Sequence, residues 1–155
     1  PAPTVCPTCQ GVNLKRKGFG NRAVADALKK LFPQATVAIL DRETTDTDLS
    51  KVTLLLTTRY YLENVFDPFH PPDFGLVAEL DADIPLSQQG GRALEAAVIS
   101  VEEWRGVAKA CGAGFVIQTD VPDLFAAYVN DPLGTLQAEL ESQKAYGLTE
   151  PLFRD

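Results

Sequence analysis

Two cysteines near the start of the chain have the spacing of a metal-binding pair. Cys6 and Cys9 stand in CPTC, where a tight turn can direct two thiolates at one ion. A closed structural zinc site needs four ligands, yet Cys111 is far along the chain and His70 is the only histidine. We therefore expect Cys6 and Cys9 to form half of a zinc site whose other ligands lie outside this sequence. A redox-active pair and two free cysteines on a loop are the alternatives.

A second chemical pattern is GFGNRA at residues 18–23, which matches the G-x-G-x-x-A form of the dinucleotide fingerprint. Gly18 and Gly20 would let a pyrophosphate approach a helix N-terminus, and Asp41 would hold the ribose. The preceding VNLKRK is polar, whereas the fingerprint requires an apolar strand there. We interpret the glycines as a turn before a helix, with a Rossmann-like dinucleotide-binding domain as the alternative.

The remaining candidate residues are scattered. Asp81 and Asp83 close an apolar run, at the position where α/β sheets carry functional groups, although strand-end acids also cap loops. His70 stands between Phe and Pro residues and is interpreted as a loop residue. Trp104 is assigned to the core, and Cys111 to a small buried position near a glycine helix cap. The sequence has no GxxxxGK[ST] phosphate loop, so any nucleotide site must borrow a phosphate cradle from elsewhere.

These residues are distributed over alternating strand and helix patterns. Strands are predicted at 12–17, 35–40, 52–58, 74–80 and 115–119, and helices at 21–32, 88–110, 123–130 and 132–147. The segment 59–73 contains three prolines and is predicted to be a loop. The alternation predicts an α/β fold with a parallel sheet covered by helices on both faces.

Composition limits the possible partners. The net charge is −7, so we expect this chain alone to bind nucleic acid weakly at best. No apolar run reaches the roughly 18 residues of a membrane helix, and no secretory signal is apparent, so we expect no membrane partner. An odd number of cysteines with CxxC spacing favours the reducing cytoplasm. The absence of Met leads us to expect a piece of a longer protein.

Taken in order, the motifs resemble the primosomal protein N′ (PriA) family of replication-restart helicases. The similar segments are CPTCQGVNLKRKGFGNRAVADALKKLFPQATVAILDRETT, LLLTTRYYLEN, FGLVAELDADIPL, GGRALEAA, GFVIQTDVPD and AYGLTEPLFRD. They span nearly the whole chain. The resemblance implies the end of a zinc module at 1–12, a second RecA-like helicase lobe at 13–120, and the start of a C-terminal helical domain at 121–155.

The resemblance also implies a function. In that family two RecA-like lobes hold ATP between them, the first lobe carries the phosphate loop, and hydrolysis drives movement along DNA. The second lobe normally carries Q-V-A-G-R-A-G-R, whose arginines reach the ATP phosphates. Here the segment reads GVAKACGA, with Gly106 at the glutamine and Ala110 and Ala113 at the arginines.

Two further segments also differ from the motifs of the family. The family's K-G-H-x-F segment is replaced by ENVFDPFHPP, and its G-T-Q by Thr57-Thr58-Arg59. Arg105, Lys109 and Asp81 are then the remaining candidates for nucleotide contact, and no residue is assigned as catalytic. The resemblance predicts ATP binding only in the full-length protein.

We therefore expect a degenerate, non-catalytic lobe that acts in replication restart. Its partners would be single-stranded or forked DNA and replication proteins, bound through the full-length protein. The alternative within the same family is the lobe of an active ATP-dependent 3′–5′ DNA helicase, in which another arginine serves as the finger.

Overall fold

The structure is a computed structural model that describes residues 20–45, 48–87 and 92–145. The chain forms two compact units, Pro1–Phe66 and Asp67–Asp155. The predicted strand at 12–17, the cysteine pair and Gly18 lie outside the described residues.

The described part of the first unit contains two helices and two strands. Its elements are α1 (Asn21–Leu31), β1 (Val37–Leu40), β2 (Leu54–Thr57) and α2 (Arg59–Asn64), with a 3-10 turn at Leu49–Lys51. The strands pair in parallel, with Val37 opposite Leu54 and Leu40 opposite Thr57. Helix α1 packs on β1 and buries Ala25. The helical spacing of its apolar residues predicted the helix itself.

Helix α2 occupies part of the segment that was predicted to be a loop, so that prediction is wrong for Arg59–Asn64. The Thr58 hydroxyl caps the helix by accepting a hydrogen bond from the Tyr60 amide at 3.3 Å. Tyr61 is buried, and its ring centroid lies 6.1 Å from that of Phe66. The prolines come after this helix, so they do not interrupt it.

Within its described residues the second unit contains three helices and two strands. Its elements are β3 (Leu76–Glu79), a 3-10 turn at Pro85–Ser87, α3 (Ala93–Cys111), β4 (Gly114–Ile117), α4 (Pro122–Asn130) and α5 (Pro132–Ala145). The strands are parallel, with Leu76 opposite Gly114 and Glu79 opposite Ile117. Helix α3 is the crossover between them and packs on both.

The core of the second unit lies along α3. One cluster joins Ala82, Ala97, Val101 and Phe125, and another joins Leu94, Val98 and Tyr128. Trp104, which was expected in the core, is only half-buried. Phe125 and Tyr128 belong to α4, so the described part of the predicted tail shares this core. The assignment of 121–155 to the start of a further domain stays a prediction.

The predicted α/β class and the parallel pairing of the strands are confirmed. In place of the single sheet that was expected, the four described strands form two sheets of two strands each, in the orders β1-β2 and β3-β4. Each strand has only four residues, which is shorter than the apolar runs from which the strands were predicted. Strand order depends on pairing partners, and an apolar run does not specify its partner.

Candidate functional site

The carboxyl ends of β3 and β4 bring together residues that are far apart in the sequence. The Asp81 amide donates to the Gln118 side-chain oxygen at 2.7 Å, and the Asp120 amide donates to Asp83 Oδ1 at 3.1 Å. The Ala82 amide also donates to the Gln118 carbonyl at 3.1 Å. Parallel strands expose their carboxyl ends at one edge, so the pairing itself places LDAD beside IQTD.

Asp81 has an unusual backbone conformation, with φ 52°. Aspartate tolerates the left-handed region better than most residues. This conformation turns the chain so that Ala82 enters the core. The turn is closed by the Ile84 amide, which donates to the Asp81 carbonyl at 2.9 Å. Asp81 is therefore held at the edge by its own turn, by the hydrogen bond from its backbone amide to Gln118, and by the buried alanine that follows it.

The edge is acidic. Asp81, Asp83 and Asp120 all lie there, and Asp123 is in the first turn of α4. Several carboxylates repel a phosphate group unless a cation intervenes. Among the described residues no group of three or more His, Cys, Asp or Glu side chains could hold a metal ion. These side chains do not by themselves suit a nucleotide phosphate.

Arg105 and Lys109 lie on α3. The Arg105 guanidinium donates to Glu102 Oε2 from Nη2 at 2.6 Å and from Nε at 3.0 Å, so its charge is already engaged. Arg105 and Ala110 are about 140° apart around the helix axis and about 7.5 Å apart along it. Arg105 therefore points in a different direction from Ala110. Lys109 is exposed in the last turn of α3.

The segment GVAKACGA forms the C-terminal part of α3 and its cap. Val107 and Ala108 are buried and hold this part of the helix in the core. Ala110 is exposed, so the structure leaves space for a longer side chain there. Gly112 ends the helix with φ 64°, the left-handed cap that was predicted, and Cys111 before it is half-buried rather than fully buried. Burial raises the pKa of the Cys111 thiol.

Glu79, the last residue of β3, was not singled out from the sequence. It is buried against α3, where Ser100 Oγ donates to its Oε1 at 2.6 Å. Its Oε2 is buried without a hydrogen-bond partner. Burial raises the pKa of this carboxyl group, Ser100 opposes the rise, and the negative charge of Glu103 adds to it. A glutamate two residues after a valine in an apolar strand is the signal that could have identified it, because alternate residues of a strand share a face and Val77 and Glu79 are both buried.

The dinucleotide alternative rests on Gly20 and Asp41. Gly20 is the extended residue before α1, and a Cβ at this position would meet no atom within 4 Å, so no close approach requires glycine there. Asp41 Oδ2 accepts from the Asn21 side chain at 3.0 Å. Its Oδ1 accepts from the amides of Glu43 and Thr44 at 3.0 and 2.9 Å. These bonds occupy the carboxylate that a ribose would need, so the geometry does not favour a dinucleotide site.

His70 lies in an exposed turn, as expected for a loop residue. Its Nδ1 is 2.8 Å from Asp67 Oδ2, and the Phe69 amide donates to Asp67 Oδ1 at 2.9 Å. The hydrogen bond from His70 is the largest cause that lowers the pKa of Asp67. The His70 side chain therefore interacts within its own turn and does not contribute to the edge at β3 and β4.

Comparison with known proteins identifies no family for this chain. Neither the family models nor the curated proteins contain a match to its sequence. Within the ranges 20–45, 48–87 and 92–145, no helix is long and apolar enough to cross a membrane.

Proposed function

We propose that this chain is the second RecA-like motor lobe of a primosomal replication-restart helicase-like protein, and that the lobe is degenerate. The observation that carries the proposal is the order of helicase-like motifs along almost the whole sequence. The parallel pairing of β3 and β4 supports it, because it joins LDAD and IQTD at one edge. Within this proposal the protein works in the cytoplasm on single-stranded or forked DNA.

The residue types at the positions that the resemblance assigns to nucleotide contact support the degenerate state. Alanines occupy both arginine positions, Arg105 is paired with Glu102, and the nearby strand ends are acidic. An arginine finger contributes about 10³ to 10⁵ in rate, so its loss would leave little hydrolysis. In this proposal ATP binds only in the full-length protein, where a first lobe supplies the phosphate loop.

ATP hydrolysis by the full-length protein that carries this lobe tests the proposal. We expect no stimulation by forked DNA, and no change on Arg105→Ala or Lys109→Ala. The double variant Ala110→Arg/Ala113→Arg restores the family's arginines and is expected to raise DNA-stimulated turnover. Robust turnover in the parent that either Arg105→Ala or Lys109→Ala abolishes would instead establish the active helicase lobe.

DNA binding by the same protein tests the family assignment independently of catalysis. Fluorescence anisotropy with a labelled fork should detect binding that weakens as salt rises, because phosphate contacts release counterions. The 155-residue chain alone should bind the fork far more weakly, since its net charge is −7. Absence of fork binding by the full-length protein even at low salt would reject the replication-restart assignment.

The metal part of the proposal rests on Cys6 and Cys9, which lie outside the described residues. Two thiolates are suitable zinc donors but cannot complete a tetrahedral site. In the full-length protein we expect about one zinc ion at the site that Cys6 and Cys9 share with ligands outside this sequence. We expect this chain alone to bind zinc weakly. Metal analysis of the full-length protein and of its Cys6→Ser/Cys9→Ser variant measures this, and an unchanged zinc content in the variant would exclude these ligands.

A further inference from the structure

Glu79 is the one buried charged-type side chain among the described residues, with 9% of its surface exposed. It is the last residue of β3, and its side chain packs between this strand and α3. One carboxyl oxygen accepts the Ser100 hydroxyl proton at 2.6 Å, and the other is buried without a partner. A buried acid that is only half satisfied needs a physical explanation.

The balance of energies favours the neutral acid. Removing a carboxylate from water is costly unless several hydrogen bonds or a cation compensate for the lost hydration, and Glu79 has one side-chain hydrogen bond. A neutral carboxyl group with one unpaired oxygen is much less costly to bury than a carboxylate. The protonated form is therefore the one that this packing tolerates.

The groups that face Glu79 reinforce this preference. From α3 come the Ser100 hydroxyl and the charge of Glu103, which disfavours a second negative charge. From β4 the residue opposite is Ile117, which cannot titrate. Among the described residues no cation forms an ion pair with Glu79 that could offset ionisation.

Glu79 is also joined to the strand ends. Its carbonyl accepts the Gln118 amide at 2.8 Å, and the Gln118 side chain accepts the Asp81 amide at 2.7 Å. Gln118 of the neighbouring strand is thus hydrogen-bonded to both the Glu79 carbonyl and the Asp81 amide.

We propose that the contact between β3 and α3 is a proton-dependent switch, in which Glu79 is neutral in the packed unit and its ionisation loosens the contact and the Asp81 turn. Burial raises the pKa of Glu79 in the folded chain above that in the unfolded chain. The stabilisation is therefore complete at low pH and is lost as the pH rises through the folded pKa. The switch uses neither ATP nor DNA, so it stands apart from the helicase proposal.

The test is a pH titration of the 155-residue chain by NMR. The δ-carbon of Glu79 should titrate above the ordinary glutamate midpoint of about 4.3. Amide exchange of β3 and of the Asp81 turn, corrected for intrinsic rates, should show a loss of protection as Glu79 ionises. A Glu79 midpoint at or below the ordinary value would overturn the proposal.

Three variants separate the switch from general stability. Glu79→Gln, a neutral mimic of the same shape, should keep full protection at high pH and remove the pH dependence. Glu103→Gln should retain the switch with a lower midpoint, because a neighbouring negative charge is removed. Ser100→Ala should raise the midpoint, because the ionised form loses its donor. The Glu103→Gln and Ser100→Ala shifts remain informative if Glu79→Gln does not fold, and a Glu79→Gln chain with the parent's pH dependence would reject the switch.

Discussion

Asp41 and Glu79 occupy similar places in the two units but have opposite environments. Asp41 directly follows β1, and Glu79 is the last residue of β3. Both β1 and β3 are the first strand of a parallel pair. The hydrogen bond from Asn21 is the largest cause that lowers the pKa of Asp41, and the amides of Glu43 and Thr44 lower it further. Burial raises the pKa of Glu79. Position at a strand end therefore does not determine the charge state of a carboxyl group, because the donors and the packing around it do.

The contrast extends to the effect of pH on each unit. Asp41 stabilises the first unit when ionised, so this contribution is present above its unfolded pKa and is lost as the pH falls through its folded pKa. Glu79 has the opposite effect on the second unit, whose stabilisation is lost as the pH rises. Acid should therefore weaken the first contribution, and base the second.

The largest expected effect comes from removing a buried side chain from the core of the second unit, which should change the environment of Glu79 but not that of Asp41. Phe125→Ala removes a buried ring that packs with Ala82, Ala97 and Val101. We expect it to lower the free energy of unfolding by about 3–5 kcal/mol, measured by urea denaturation. Water entering this core should also move the pKa of Glu79 toward its ordinary value while that of Asp41 stays unchanged.

Val129→Ala is the matched control for this prediction, because Val129 lies on the same helix with 52% of its surface exposed. Its cost should be below about 0.5 kcal/mol. Equal costs for the two variants would show that α4 does not contribute Phe125 to the core.

Gly106 lies within α3 and Gly112 caps the same helix, which connects the two strands of the second unit. Gly112 has φ 64°, so Gly112→Ala should cost about 1–2 kcal/mol although no atom lies near the added Cβ. Gly106 lies within the helix with open space around it, so Gly106→Ala should stabilise by about 0.5–1 kcal/mol. Thermal unfolding of both variants measures the difference, and the same sign for both would contradict the left-handed cap.

The smallest expected effect concerns the bond between Asn21 and Asp41. Asn21→Ala removes the largest cause of the lowered Asp41 pKa, so that pKa should rise toward its ordinary value. Carbon-detected NMR titration of Asp41 measures the shift. Asn64→Ala is the control, since this exposed asparagine donates to the Tyr60 carbonyl and does not contact Asp41. An unchanged Asp41 titration in Asn21→Ala would mean that the backbone amides alone hold the carboxylate.

Local pattern predicted most of the described elements. The apolar spacing of α1 and the stop at Pro33 predicted a helix over 21–32, and the helix ends at Leu31, one residue before the predicted end. Three of the four described strands lie within the apolar runs from which they were predicted, and β4 begins at Gly114, one residue before its predicted run. Helix α2 was missed because the three prolines after it suggested a loop, although its Thr58 cap is itself a helix signal.

The candidate site was predicted only in part. Asp81 and Asp83 were selected because they end an apolar run, and they do lie at the edge with Gln118 and Asp120. Glu79 was overlooked because a strand pattern does not show which face a helix will cover. The engagement of Arg105 by Glu102 could be anticipated from their spacing on one helix, but the direction of the guanidinium could not.

The sequence by itself determined the alternation of strands and helices, the glycine cap at Gly112 and the acidic character of the chain, because these depend on neighbouring residues and composition. Only the tertiary structure decided the pairing of the strands into two sheets, the meeting of Asp81 with Gln118, and the burial of Glu79 beside Ser100. Those features depend on residues that are distant along the chain. The charge state of a carboxyl group depends on such neighbours, so the opposite behaviour of Asp41 and Glu79 became visible only when the chain was folded.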